Sequence, residues 1–171
     1  MYSQTTTPEG ESSRSDLRIV LDELARTIAA DPSGSTFTSG STFTLTETLQ
    51  HAAQSIEYSL SGYPVLKPVG FRKTIGRAVK HLFLRRGAMK HNLAAPVDGA
   101  PELDPALAVS AALDRLNTAA AALLAHTGPL QAHPTYGVCT PQQGARLQAM
   151  HLREHLPALG VVGAKPETAD R

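Results

Sequence analysis

The sequence has 171 residues, of which 42% are hydrophobic and 18% charged, and its formal net charge is +1. These values fit one domain with a hydrophobic core and argue against a chain-wide electrostatic attraction to nucleic acid. The single cysteine, Cys139, excludes an intrachain disulfide. No apolar run reaches the roughly 18 residues that span a bilayer, and residues 1–15 lack the apolar segment of a secretory signal. We therefore expect a soluble, cytoplasmic protein that binds neither membranes nor nucleic acid.

The first part of the chain predicts a tail followed by an amphipathic helix. Residues 1–14 are rich in Ser, Thr and Glu, which is typical of a disordered tail. Ser15 is the expected N-cap of a helix that ends near Asp31 and Pro32. Apolar residues recur in this segment at helical spacing: Leu17, Val20, Leu21, Leu24 and Ile28. Residues 33–43 are expected to form a loop.

A second helix is predicted from the capping box formed by Thr44 and Glu47 to a C-cap at Gly62. Its expected core stripe is Leu45, Leu49, Ala52, Ala53, Ile56 and Leu60. His51 lies beside this stripe, at the edge where a ligand facing an internal site belongs.

The middle of the chain predicts a basic helix and a long loop. The helix covers residues 71–86 and should bury Ile75, Val79, Leu82 and Phe83 while its Lys and Arg side chains are solvated. Arg85 and Arg86 fit a solvated face, with anion binding as the alternative. Residues 88–103 contain several turn-forming residues, and a loop of that length in a compact domain is often part of a site.

Two further helices complete an all-α prediction. Asp104 and Pro105 indicate a helix start, and this helix should end near His126. A capping box of Thr140 and Gln143 opens the last helix, which should end near Pro157. With no strand expected, we predict a helical bundle over residues 15–160, followed by a flexible tail at 161–171.

The last helix carries the strongest chemical signal. His151 and His155 are four residues apart, so a helix places their Cβ atoms about 6 Å apart on one face. That face is the core-facing stripe of Leu147, Met150, His151, Glu154 and His155. Two histidines in a core need a partner or an ion, and His51 is the candidate third ligand. Imidazole suits zinc, nickel, iron or copper, and three ligands would leave a coordination position open.

Other residues have weaker claims to a site. Isolated histidines are more often structural, and His91 and His133 are expected in loops near a pocket wall. Cys139 fits packing better than metal ligation or reactivity. The order of residues around His151 does not fit the His-Glu-x-x-His pattern of zinc proteases.

Several separated motifs resemble the DinB/YfiT-like superfamily, in the subgroup usually described as a domain of unknown function. They are residues 49–60 (LQHAAQSIEYSL), 71–72, 84–87, 95–101, 133–137 (HPTYG), 140–141, 146–148 and 151–156 (HLREHL). The resemblance implies a four-helix bundle of up-down-down-up type with one shorter extra helix and long connecting loops. It also implies a divalent metal, zinc or nickel with iron as an alternative, held by His51, His151 and His155.

The superfamily includes thiol-dependent transferases that use bacillithiol or mycothiol, and a maleylpyruvate isomerase, so the resemblance implies a small-molecule substrate and often a homodimer. This chain lacks the family's usual Trp residues, and Gly144 stands at one of their positions, where we expect a gap. Glu154 replaces a frequent second histidine and is a candidate base or hydrogen-bond acceptor for a ligand imidazole, with Glu57 as another candidate base.

Three functions remain open from sequence. The first is a metal-dependent enzyme of the thiol-transferase or hydrolase type. The second is a non-catalytic, metal-stabilised bundle associated with stress. The third is a bundle without metal that acts as an interaction module.

Overall fold

The computed structural model describes residues 8–32 and 42–155. Within these ranges the chain forms six helices and no strand, which confirms the all-α prediction; the one isolated β-bridge joins His133 and Gly137. The helices are α1 (Pro8–Ala30), α2 (Leu45–Ser61), α3 (Val69–Lys73), α4 (Ile75–Arg86), α5 (Val109–Ala125) and α6 (Pro141–His155). None of these helices has both the length and the apolar character needed to cross a membrane.

The core lies between two helix pairs. Helix α2 packs mainly on α5, and α1 packs mainly on α6, while smaller contacts join α2 and α5 to α6. The apolar stripes predicted for α1 and α2 are buried, apart from the half-buried Leu60. The largest fully buried side chains come from all four helices and include one imidazole: Leu17, Val20, Leu24, Leu49, Ile56, Leu116, Leu123 and His155. The candidate site is therefore built into the core.

Both predicted capping boxes are confirmed. The Thr44 backbone N–H donates to Glu47 Oε2 at 2.8 Å, and the Glu47 N–H donates to Thr44 Oγ1 at 3.3 Å. The Thr140 N–H donates to Gln143 Oε1 at 3.3 Å, and the Gln143 N–H donates to Thr140 Oγ1 at 3.2 Å. Because the boxes set where α2 and α6 begin, they help to fix the positions of the histidines on these helices.

Two predicted helix starts are wrong. Helix α1 begins at Pro8 rather than at Ser15, so Ser15 lies inside the helix and half of the expected tail is helical. Proline suits a first helical turn because the N–H groups of that turn have no partner within the helix.

The predicted end of the last helix near Pro157 and the predicted tail at 161–171 lie outside the described residues.

Helix α5 begins at Val109 and not at Asp104. Asp104 Oδ1 instead accepts a hydrogen bond from the Ala106 N–H at 2.8 Å, which closes a turn. The Gln50 side chain holds the same residue through its backbone, accepting from Asp104 N at 3.1 Å and donating to Asp104 O at 2.8 Å. The long loop between α4 and α5, residues 87–108, is thereby fastened to α2.

The predicted basic helix is divided into two helices, and the face of the second that is buried differs from the predicted one. It breaks at Thr74, which separates α3 from α4. The expected core residues Ile75 and Leu82 are 58% and 42% exposed, whereas Gly76 and Lys80 are buried. This face of the helix is buried because the backbone of Gly76 lies against the backbone of Thr135. A Cβ on Gly76 would lie 1.8 Å from the carbonyl oxygen of Thr135.

This contact generates a stability prediction. We expect Gly76→Ala to lower the free energy of unfolding by about 1–3 kcal/mol, the usual cost of overpacking. Alanine's better helix propensity, worth up to about 1 kcal/mol, opposes this loss. The measurement is urea unfolding followed by circular dichroism. Gly70→Ala is the matched control, because no atom lies within 4 Å of its added Cβ. Equal stability of the two variants would contradict the account.

Candidate metal centre

Four histidines from three parts of the chain meet in the core. His51 comes from α2, His91 from the 87–108 loop, and His151 and His155 from α6. One ring nitrogen from each lies within 4.8 Å of the others. The Nε2 atoms of His151 and His155 are 3.1 Å apart. The structure thus brings together the three histidines singled out from the sequence and adds His91.

Burial separates three members of this cluster from ordinary surface histidines, while His91 is half-buried, with 27% of its side chain exposed. His51 is 5% exposed, His151 9% and His155 1%. Their rings contact edge to face or at a tilt, with centroids 4.9–5.5 Å apart. The contact of α2 with α6 places His51 opposite the two α6 histidines, as the core-stripe argument predicts.

Glu154 fixes the orientation of His91. Its Oε1 accepts the His91 backbone N–H at 2.9 Å, and its Oε2 lies 2.5 Å from His91 Nδ1. A carboxylate in this position places the imidazole proton on Nδ1, which leaves a lone pair on Nε2. Of the two roles predicted for Glu154, the geometry fits the acceptor for an imidazole, although its partner is His91 and not an α6 histidine.

Gln148 supports a second imidazole. Its Oε1 lies 3.4 Å from His151 Nδ1, and its Nε2 donates to Ser55 Oγ at 3.0 Å. Since the amide oxygen only accepts, this contact favours a proton on Nδ1 and a lone pair on Nε2 of His151. Helices α2 and α6 therefore share a hydrogen-bond chain that orients the ring.

Three buried imidazole nitrogens have no hydrogen-bond partner among the described residues: His51 Nδ1, His91 Nε2 and His155 Nδ1. A buried polar atom without a partner costs about 1–3 kcal/mol. A cation between the rings would satisfy the lone pairs of His51 Nδ1 and His91 Nε2. Each ring gives one nitrogen to an ion, and the Nε2 atoms of the two α6 histidines are 3.1 Å apart, close to the roughly 3.3 Å between neighbouring nitrogens in a tetrahedral zinc site. The residues fit a divalent transition metal.

The lowered pKa values of the buried histidines also suit metal binding. Desolvation, followed by the effect of His91, lowers the pKa of His51 to about 4. Desolvation, with the nearby histidines, also lowers the pKa of His155 to about 3 and the pKa of His151 well below its usual value. These rings are neutral at pH 7, which is the form of imidazole that binds metals.

A cavity of about 370 Å³ opens beside the cluster and is bordered by His51, His91 and His151. Its wall combines apolar side chains with polar ones, among them Met89, Leu130, Leu147, Tyr63, His133 and Tyr136. This mixture is typical of small-molecule sites.

His133 belongs to the cavity wall rather than to the cluster. Its Nδ1 accepts the backbone N–H groups of Thr135 at 3.1 Å and Tyr136 at 3.3 Å. The ring stacks on Tyr136 with centroids 4.3 Å apart. Burial, with the charges of Lys67 and Lys80, lowers the pKa of His133 to about 3. Because Nδ1 is an acceptor, the neutral ring carries its proton on Nε2.

The remaining candidate residues do not belong to the four-histidine cluster. Glu57 forms a two-bond ion pair with Arg115, at 2.9 and 2.7 Å, and does not line the cavity. Cys139 is buried in the cavity wall, where desolvation raises its thiol pKa against the opposing effect of Lys80. His81 and His126 are not in the cluster.

The gap expected at Gly144 is filled. A Cβ on Gly144 would lie 2.2 Å from Leu130 Cδ1, so the Leu130 side chain occupies the space next to the glycine. Leu130 comes from the segment after α5, and its N–H donates to Cys139 O at 3.0 Å. Both Leu130 and Gly144 line the cavity, so this pair shapes its wall.

Fold and site together define an all-helical protein with a candidate tetra-histidine metal centre beside a cavity. Residues 12–160 match the family described as "Protein of unknown function (DUF1569)", and the chain belongs to that family. No curated protein and no solved structure matches the chain.

The lowered histidine pKa values predict that metal-free protein loses stability in acid. The folded-state pKa values of His51 and His155 lie below the ordinary 6.5, so between pH 6.5 and about 4 the unfolded chain binds protons that the folded chain does not. The contribution is complete above pH 6.5 and falls by about 1.4 kcal/mol per histidine for each pH unit below it. Urea unfolding of chelator-treated protein from pH 7.5 to 5 measures this slope.

The test variant is His51→Gln, which should make the slope shallower. A free energy of unfolding that does not vary with pH over this range would contradict the burial argument.

Proposed function

We propose that the four histidines hold one divalent transition-metal ion and that the protein is a metal-dependent enzyme of the thiol-transferase or hydrolase type. The observation that carries the proposal is the cluster of four histidines, with one ring nitrogen of each within 4.8 Å of the others, beside a cavity of about 370 Å³. Zinc and nickel suit a set of neutral imidazoles best, with iron as a third choice. When bound, such an ion supplies Lewis acidity and lowers the pKa of a coordinated water or thiol.

The protein's own groups have separate roles in this proposal. Glu154 and Gln148 orient the imidazoles of His91 and His151. The apolar side chains of the wall, Met89, Leu130 and Leu147, exclude water from the cavity. His133 offers a neutral N–H donor from the wall, suited to an oxygen that gains negative charge during reaction.

A low-molecular-weight thiol is the proposed substrate or co-substrate. This choice rests on the resemblance to the DinB/YfiT-like superfamily and its up-down-down-up bundle, and it is compatible with the size of the cavity. A cytoplasmic location and a homodimer are part of the same proposal.

A non-catalytic metal-stabilised bundle is the second candidate. The observation that favours it is the fourth histidine, because four nitrogens complete a tetrahedral shell and leave no open position. In that case the ion would connect α2, α6 and the 87–108 loop and would act on stability alone.

Metal analysis of untagged protein tests both candidates. We expect one transition-metal ion per chain, lost in His51→Ala and in His155→Ala, because each variant removes one buried ligand. His81→Ala is the control, since His81 is an exposed histidine outside the cluster. Absence of stoichiometric metal from native protein and after reconstitution would exclude both metal proposals.

A conjugation assay separates enzyme from structural metal protein. Metal-loaded protein should accelerate the reaction of a low-molecular-weight thiol with an electrophilic acceptor, and chelation should abolish the acceleration. His133→Gln should reduce kcat by about 10-fold or more while metal content is unchanged, if its N–H stabilises developing charge. Stoichiometric metal without activity on bacillithiol, mycothiol or glutathione would favour the structural role.

A further inference from the structure

The charges of this nearly neutral chain are segregated along the sequence. No acidic residue occurs between Glu57 and Asp98, and this interval holds eight of the 16 Lys and Arg residues. The rest of the chain has eight Lys and Arg against all 15 Asp and Glu, which is a formal charge of −7. Such asymmetry points to an anionic partner for the basic part.

Part of this positive charge surrounds a groove of about 520 Å³ between α3, α4 and the 136–138 segment. The groove, called the basic groove below, is lined by Arg72, Lys73, Arg77, Lys80 and His81, together with Val69, Tyr136, Gly137, Val138 and Gln143. No carboxylate is among the lining residues. The groove therefore concentrates charge of one sign in a concave surface, which strengthens the local potential.

Within residues 8–32 and 42–155, no carboxylate lines the basic groove to neutralise this charge. Neither the Arg115–Glu57 ion pair nor the His91–Glu154 hydrogen bond involves the basic groove. The segments outside the described ranges contain two acidic residues, Glu167 and Asp170, and these are balanced in sequence by Lys165 and Arg171. The basic groove is therefore suited to an external anion.

Lys80 distinguishes the basic groove from a solvated helix face. The residue is only 7% exposed, and its Nζ donates to the Val138 carbonyl at 2.7 Å. A buried ammonium group whose protein acceptor is neutral favours a nearby negative charge. The exposed Lys73 and Arg77 add two cations on neighbouring helices.

We propose that the basic groove binds a small molecule bearing a phosphate monoester. Arginine side chains match phosphate oxygens with paired N–H donors, and two arginines with two lysines suit a dianion better than a single carboxylate. The volume accommodates a sugar or nucleoside attached to the phosphate. Nucleic acid is less suitable, because Arg85, Arg86 and Lys90 lie outside the groove.

The basic groove adjoins the cavity of the candidate metal centre. Tyr136 lines both, and Lys80 Nζ lies 3.8 Å from Sγ of Cys139, which borders the cavity. The phosphate site is nevertheless distinct, because none of the four clustered histidines lines the groove. Its test is therefore independent of the proposed metal function.

Calorimetric titration with 5′-AMP at low salt tests the proposal, with adenosine and inorganic phosphate as separate probes. We expect saturable binding of 5′-AMP, weaker binding of phosphate and no binding of adenosine. Arg77→Ala should weaken 5′-AMP binding at least 10-fold. Arg86→Ala, which removes another exposed cation of the same helix that lies outside the groove, should change it less than twofold.

The affinity for 5′-AMP should be the same in metal-free and metal-loaded protein. A protein that binds no metal should therefore still bind 5′-AMP. Binding of 5′-AMP that requires the metal would place the phosphate at the histidines and overturn the proposal. The proposal would also be overturned if Arg77→Ala and Arg86→Ala lost the same 5′-AMP affinity, if adenosine bound, or if 5′-AMP showed no saturable binding. A single-stranded oligonucleotide that binds far more tightly than 5′-AMP and depends equally on Arg77 and Arg86 would overturn it as well.

Discussion

Burial of neutral imidazoles between α2 and α6 is the constraint on which the site depends. His155 is as buried as the leucines around it, yet its Nδ1 has no hydrogen-bond partner among the described residues. A core does not gain stability from such an atom, because an apolar side chain of similar size would avoid the desolvation cost. Buried nitrogens without a partner among the described residues also occur on the neighbouring His51 and His91, so a ligand shared by the cluster explains the site better than separate packing defects.

The fourth histidine changes what the site can do. Three ligands would leave a position open in a tetrahedral shell, whereas four can fill it. His91 differs from the other three because it lies on the loop between α4 and α5, where Glu154 holds both its ring and its backbone N–H. In the proposed metal site, the balance between a catalytic and a structural ion would depend on whether His91 stayed bound to the ion when a molecule entered the cavity.

Local signals in the sequence predicted much of this arrangement. Local patterns predicted the starts of α2 and α6 from the capping boxes of Thr44 and Thr140. They also predicted the buried faces of α1 and α2 from the helical spacing of apolar residues. Both features are determined by residues close together in sequence. The i, i+4 spacing of His151 and His155 likewise placed both rings on the inner face. His91 could not be identified in this way, since its position depends on a carboxylate 63 residues away in sequence.

The wrong predictions share one physical cause, which is contact between residues far apart in sequence. Asp104 is drawn into a turn by Gln50, and the inward face of α4 is set by the approach of Gly76 to Thr135. Lys80 was expected in solvent, but its ammonium group reaches the Val138 carbonyl across 58 positions of sequence. Leu130 fills the space beside Gly144, which no local pattern indicated. Long-range contacts decided each of these positions.

The central claim is that the four imidazoles share one metal ion. A crystal structure of the metal-loaded protein, with the ion located by anomalous scattering at its absorption edge, tests this most directly. The account predicts one anomalous peak bonded to nitrogens of His51, His151 and His155, with His91 either bonded or displaced by a molecule in the cavity. A fully loaded crystal whose only anomalous peaks lie elsewhere, with these four rings unliganded, would contradict it.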